Sequence, residues 1–253
     1  MPESESKQVI EIYSVNGGSI TTIRSRVRKS ILHYIAENSE VSFSDINKYT
    51  GLSKSTISIY INSLIDADLI EERISAEDGR KKIYVLSSSY VGRIDPNSRI
   101  NVDDFRKIVK GTETPCRNKL NCRDVLPHII RVALAETGIR IDPIIIRGGE
   151  ILGEAVADNL VGNNLEETIT NVINFWKEER FGNMVVTSYD PVILEVYDCY
   201  ECRIMPSTSS GGCLISKGIL SAIFSKYYKK KICVNEIACM AEGSDCCRFV
   251  LKD

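Results

Sequence analysis

The sequence predicts an α+β protein built as two units, and three observations carry that reading. At 253 residues the chain exceeds one ordinary small domain and suits two, each able to bury a core without disulfide help. Within residues 19–86, stretches with apolar residues at helical spacing precede a pair of short strand patterns, whereas beyond residue 124 helices and strands are interspersed. All nine cysteines lie beyond residue 115, seven of them from Cys199 to Cys247, so the two halves are built for different chemistry.

The first helical stretch is 19–37, SITTIRSRVRKSILHYIAE, in which Ile23, Val27, Ile31, Tyr34 and Ile35 form an apolar stripe with Arg24, Arg28 and Lys29 off it. Ser42 followed by Asp45 has the spacing of a capping box and opens a short second helix through Ile46 and Tyr49, which Gly51 closes. In 53–70, SKSTISIYINSLIDADLI, Ser53 is the expected cap. Ile57, Ile61, Leu64 and Ile65 share one side, leaving Lys54, Ser55, Thr56, Ser58 and Asn62 on or near the other. Two short helices across a glycine turn, the second showing small polar side chains, suit a helix-turn-helix whose second helix enters a major groove. LIEERI (69–74) and KKIYVL (81–86) then flank the turn dipeptide Asp78-Gly79, a hairpin with Arg80, Lys81 and Lys82 at or just beyond its tip as phosphate contacts. His33 has no second ligand in view and is expected to be structural, while Tyr60, beside Ile57 and Ile61, can either pack or touch DNA.

These 68 residues carry ten Lys or Arg against nine Asp or Glu, and the whole chain has a net charge of −2, so bulk charge does not announce a nucleic-acid partner. The cations gather in the first helix and at the hairpin tip, and that placement favours DNA over a purely protein-binding role. The arrangement over 19–86 resembles the winged helix-turn-helix of the ArsR and MarR repressor superfamilies, which implies a homodimer reading a partly palindromic operator.

The resulting partition is a DNA-binding unit at 15–90, a polar segment at 91–124 that either links or dimerises, with a short helix at 102–110, and a sensor unit at 125–253. Cys116 and Cys122 fall in the segment, six residues apart, as ordinary thiols or a redox pair. Helices are expected at 124–136, 147–160 and 165–179, then strands over MVVTSYD and VILEVYDCYEC, a helix at 211–228 opening at Cys213, a strand within 229–242 and a last strand from Cys246. Gly148-Gly149 is no phosphate loop, since neither nucleotide-binding glycine pattern surrounds it. No run reaches the roughly 18 apolar residues of a membrane span, and the polar, acidic start MPESESKQ is no secretory signal, so a cytoplasmic protein is expected.

Seven cysteines within 49 residues allow a zinc site, a metal-free redox site, or idle core thiols. With only two histidines in the chain and no cofactor motif, an enzyme is not expected. The residues YDCYEC (197–202), Gly212-Cys213, Gly218, Leu220, and Glu236, Cys239, Gly243, Cys247 and Phe249 of EIACMAEGSDCCRF are similar to the 4-vinyl-reductase domain family. Domains of that family bind small hydrophobic molecules or act as sensors, and in phenol-sensing regulators three cysteines and a glutamate hold zinc. The resemblance places Cys213, Cys239 and Cys247 on the cysteine ligands, with Cys233 as the fourth and Glu236 as its alternative. Cys199, Cys202 and Cys246 remain as redox candidates beside Cys116 and Cys122. If 197–202 is extended, Cys199 and Cys202 point to opposite faces, and a bond between them needs the strand to end in a turn. The full combination resembles the methanogen-specific transcriptional regulators that carry a 4-vinyl-reductase domain, archaeal proteins in which thiol oxidation in the C-terminal domain governs operator binding. It implies a redox-responsive repressor that binds when reduced. The rival reading is a regulator that senses a small hydrophobic ligand around a purely structural zinc.

Overall fold

The computed structural model describes residues 8–96 other than 16, 17, 39 and 77, together with 103, 122–204 and 212–252. The chain divides into two compact units, Met1–Asn97 and Ser98–Asp253. The expected helix at 102–110, apart from Asp103, and Cys116 lie outside the described residues, as does the side chain of Cys122.

In the first unit, strands β1 (Ile10–Val15) and β2 (Ser19–Ile23) form a hairpin, and β6 (Ser89–Ile94) pairs antiparallel along the other edge of β1. Residues 19–23 are therefore strand, where helical spacing predicted the start of the first helix. Four consecutive β-branched side chains, Ile20 to Ile23, favour the pleated form, and helix α1 begins only at Arg26 and runs to Asn38. The polar stretch after Ser87 likewise opens with a strand, β6, before any linker.

The winged helix follows the sequence signals closely. A two-residue strand, β3 (Val41–Ser42), leads into α2 (Phe43–Thr50), where Ser42 and Asp45 form a complete capping box and Gly51, at φ 68°, ends the helix in the left-handed region. Helix α3 (Lys54–Ile65) is capped by Ser53, whose hydroxyl accepts from the Thr56 N–H at 3.2 Å. β4 (Ile70–Ile74) and β5 (Lys82–Leu86) make the hairpin of a sheet ordered β3-β5-β4. Ile31, Ile35, Ile46, Ile57, Ile61 and Leu64 interlock as the core of this unit. Tyr60 is half-buried against that core, as a packing residue. His33 is paired with Glu11 at 3.2 Å.

The second unit contains α4 (Cys122–Glu136), a two-residue strand β7 (Ile139–Arg140), α5 (Asp142–Leu160), α6 (Leu165–Glu178), β8 (Asn183–Tyr189), β9 (Val192–Tyr197), α7 (Tyr200–Ile204), α8 (Leu214–Tyr228), β10 (Cys233–Ala238), a 3₁₀ turn at Met240–Glu242 and β11 (Cys247–Lys252). Its sheet is antiparallel in the order β10-β11-β9-β8. Leu194, Val196, Cys247 and Phe249 lie on the face that packs against Trp176, Phe224 and the apolar side of α6 and α8. Helices α5 and α8 cross with almost no separation. A Cβ on Gly149 would strike the carbonyl of Ile215, and one on Gly218 the carbonyl of Ile146. Of the glycine pair, Gly149 therefore serves helix packing while Gly148 faces open space, and this crossing fixes where the start of α8 lies.

Candidate metal-thiol centre and nucleic-acid interface

The strand expected to run through Cys202 stops at Tyr197. Asp198 adopts a left-handed φ of 54°, and the chain coils into α7. Cys199 and Cys202 therefore sit on a single helical turn, closed by the Arg203 N–H donating to the Cys199 carbonyl at 3.1 Å. Both point inward and are buried. Cys213 lies at the N-terminus of α8, Cys239 leads into the 3₁₀ turn, and Cys247 opens β11, so five thiols meet where the sheet ends below α8.

The Sγ atom of Cys202 lies 3.3 Å from Cys213, 3.5 Å from Cys239 and 3.3 Å from Cys247, while Cys213 lies 3.5 Å from Cys199 and 3.4 Å from Cys247. These separations are far beyond the roughly 2.05 Å of a disulfide. They approach the roughly 3.8 Å edge of a tetrahedron with Zn–S bonds of about 2.3 Å. Two overlapping groups each bring four ligand atoms within 4.8 Å of one another: Cys199, Cys202, Cys213 and Cys247, and Cys213, Glu236, Cys239 and Cys247.

Cys233 belongs to neither group. It is exposed at the start of β10, and because strand side chains alternate, Cys233 and Glu236 face opposite sides. The carboxylate is the one that turns toward the sulfurs, its Oε2 accepting from the Cys213 N–H at 3.4 Å. Its other oxygen is buried without a hydrogen-bond partner among the described residues, an arrangement that a metal ligand would satisfy. Cys246 is buried but lies outside both groups, so it and Cys247 serve different surroundings, as expected for vicinal residues at a strand start.

Crowded thiols compete for ionisation. Hydrogen bonds from Cys202, Cys213 and Cys247 hold the Cys239 thiol well below its ordinary value, and contact with Cys202 does the same for Cys199. The same contacts, Cys199 first, push Cys202, Cys213 and Cys247 up. Burial, then the neighbouring Cys239, pushes Glu236 up to about 8. A soft divalent cation removes this competition, because each bound thiolate no longer repels its neighbours unopposed. Backbone donors already point at the sulfurs: the Gly212 N–H reaches Cys239 at 3.5 Å and the Met240 N–H reaches Cys247 at 3.4 Å. The donor set fits zinc.

Two further residues hold the site: Glu201, which lies in the YDCYEC stretch but was given no role there, and Arg131, which carried no sequence signal. Glu201, fully buried between Cys199 and Cys202, accepts from the Ile215 N–H at 3.0 Å, the Ser216 N–H at 2.9 Å and the Ser216 hydroxyl at 2.7 Å, tying α7 to the first turn of α8. Buried Arg131 of α4 donates to the Gly212 carbonyl at 2.7 Å, beside Cys213. A cavity of about 350 Å³ reaches Glu236 and Cys239 and is edged by Asp142, Lys217 and Glu242.

On the first unit, Ser53, Lys54, Ser55 and Asn62 are exposed on α3, and Thr56 and Ser58 are half-exposed. Ser53 is engaged as a cap, with Ser55 and Thr56 hydroxyls at 3.0 and 2.7 Å. Ile59 was not anticipated: it is 68% exposed in the middle of the polar side, two residues off the buried stripe. On the hairpin, Arg80 and Lys81 are exposed at the tip, where the Arg80 N–H donates to Asp78 Oδ1 at 3.0 Å. Lys82 differs, since it lies within β5 and pairs with Glu72 at 2.7 Å.

Comparisons with known proteins agree with this anatomy. Residues 25–81 match the MarR family and residues 192–253 match the 4-vinyl-reductase domain. Two proteins of Methanocaldococcus jannaschii are similar: uncharacterized protein MJ1642, 27% identical over 100 residues, or 40% of this chain and 60% of that one, and uncharacterized protein MJ0745, 35% identical over 78 residues, or 31% and 42%. The chain thus spans 60% and 42% of these relatives' lengths. Among solved structures, the phenol-responsive sensory domain of the transcription activator PoxR, crystallised with phenol, aligns over 60% of this chain and 89% of its own at 14% identity and a TM-score of 0.45. No helix among the described residues is long and apolar enough to cross a membrane. The chain thus joins an N-terminal MarR-type winged helix-turn-helix to a C-terminal α+β domain of the 4-vinyl-reductase type.

Proposed function

We propose that the protein is a homodimeric, redox-responsive transcriptional regulator, a repressor that binds its DNA operator when reduced and is governed by thiol and zinc chemistry in the 4-vinyl-reductase domain. The observation that carries this reading is the convergence of five thiols and a buried carboxylate, in the same chain as a MarR-type winged helix. Ser53, Lys54, Ser55, Thr56, Ser58 and Asn62 of α3 are assigned to base edges and nearby phosphates, and Arg80, Lys81 and Lys82 to phosphates along the wing. Zinc is assigned to the shared ligand atoms of Cys213 and Cys247 and completed by Glu236 with Cys239. Bound there, zinc would neutralise and fix the thiolates. A dimer must hold two recognition helices about 34 to 36 Å apart to read half-sites one helical turn apart, so a small shift induced by the C-terminal domain is enough to cost affinity.

The rival, a small hydrophobic ligand sensed around a structural zinc, fits less well. The cavity that reaches Glu236 and Cys239 sets charged Asp142, Lys217 and Glu242 beside apolar Ile146, Leu214, Ile237 and Ala238, so only part of its wall suits an apolar guest. The deciding experiment selects operator fragments from genomic DNA with the full chain and then measures their affinity under dithiothreitol and under peroxide. Affinity that falls reversibly on oxidation supports the reading. Equal affinity in both states rejects it.

A further inference from the structure

Six potential ligand atoms surround a site that needs four, and the surplus is not arbitrary. Cys213 and Cys247 belong to both ligand groups; Cys199 and Cys202 complete one, and Glu236 and Cys239 complete the other. Among the described residues, Cys199 and Cys202 are the one pair of these thiols whose joining leaves a four-ligand group intact. Any bond to Cys213 or Cys247 breaks both groups. A bond from Cys239 to Cys199 or Cys202 also breaks both.

Other sulfur pairs lie at 3.3–3.5 Å, so proximity alone does not select this pair, but the local backbone permits it. Cys199-Tyr200-Glu201-Cys202 occupies one helical turn after the left-handed Asp198, and residues three apart on such a turn have Cβ atoms about 5 to 6 Å apart, with Cα atoms within the roughly 7 Å a disulfide demands. The two sulfurs lie within 4.8 Å of each other and face the same interior. The turn belongs to a helix of only five residues, Tyr200–Ile204, with little regular structure to resist its closing.

We propose that Cys199 and Cys202 form a reversible disulfide whose closure withdraws two sulfurs from the shared centre and leaves Cys213, Glu236, Cys239 and Cys247 as a complete zinc site. The proposal deepens the redox reading above and rests on it for its regulatory meaning. With hydrogen peroxide as oxidant, one sulfur of the pair attacks a peroxide oxygen. The O–O bond breaks, a sulfenic acid forms and one water leaves. The second sulfur then attacks the sulfenic sulfur, and the S–O bond breaks to release a second water. Two thiols lose two electrons and two protons, and one peroxide becomes two waters. A small oxidant suits the burial of both residues, which are 1% and 8% exposed. Glu201, between them, is bonded to Ile215 and Ser216, so tightening α7 pulls directly on the start of α8.

The test uses the full chain loaded with zinc, with metal content and peptide-mapped disulfides measured before and after peroxide, and again after reductant. The expected result is a Cys199–Cys202 bond that forms and reverses while zinc stays at its starting stoichiometry. Cys199→Ser/Cys202→Ser should keep the same zinc content and form no bond among the remaining cluster thiols at that dose. Zinc lost in step with oxidation, a bond involving Cys213, Cys239 or Cys247, or loss of zinc from the folded double variant each overturns the proposal. Operator affinity is recorded on the same samples. A Cys199–Cys202 bond that forms with zinc retained and no change in operator affinity upholds this inference and rejects the regulatory function.

Discussion

Removing the tip cations of the wing should weaken DNA binding in a way that salt exposes. Arg80 and Lys81 are exposed beyond the end of the hairpin, whereas Lys82 is held in β5 by Glu72 at 2.7 Å, a pairing that raises the Lys82 pKa. Each phosphate neutralised contributes about 0.9 to the slope of log affinity against log salt, so Arg80→Ala/Lys81→Ala should reduce its magnitude by about 1.8 per wing. Between about 50 and 200 mM salt, the parent should then lose roughly twelvefold more affinity per wing than the variant. Lys82→Ala, whose charge is already partly answered, should change the slope by well under about 0.9. Fluorescence anisotropy on one duplex across that salt range measures both. An unchanged slope in the double variant would remove the wing from the phosphates, and a Lys82→Ala effect as large as the double variant's would refute the argument from the Glu72 pair.

The remaining predictions concern recognition and packing. Ile59→Ala should leave the salt slope and the melting temperature in place while flattening discrimination at one base step by about 1 kcal/mol, through loss of an apolar contact to a thymine methyl, measured by competition with single-site operator variants. Gly218→Val should force α5 and α8 apart, lowering stability by about 1 to 3 kcal/mol in denaturant titration and reducing zinc content, because Cys213 is carried at the start of α8. Glu201→Ala leaves the Ile215 and Ser216 N–H groups without their buried acceptor and should cost about 1 to 3 kcal/mol by the same titration.

Much of the first unit was legible because its signals are local. The capping box at Ser42 and Asp45, the left-handed Gly51, the cap at Ser53 and the Asp78-Gly79 turn each act within a few residues and appear as expected. The outer sheet was not legible in the same way. β1 pairs with β6 across a separation such as Ile12 to Gly92, and the Ser19–Ile23 stretch satisfies a helical stripe and a strand equally well, so partner availability decided. At the thiol centre, the residues brought in by family resemblance converge, but strand phase sent Cys233 outward and Glu236 inward. The left-handed residue at Asp198, which no turn dipeptide announces, converted an expected strand into the helical turn that brings Cys199 and Cys202 to the cluster. The Cys-x-x-Cys spacing was the one visible hint of that outcome.

Cys213 belongs to both ligand groups, which makes it the most direct probe of whether this centre commands the DNA-reading end. Operator affinity of the full chain and of Cys213→Ser should be measured with zinc content under reducing and oxidising conditions. The parent should hold zinc and lose at least tenfold in affinity on oxidation, and the variant should lose zinc and, with no zinc-ordered centre for Cys199–Cys202 closure to act against, give one affinity in both conditions. The same redox response in both proteins, or none in either, would contradict the account.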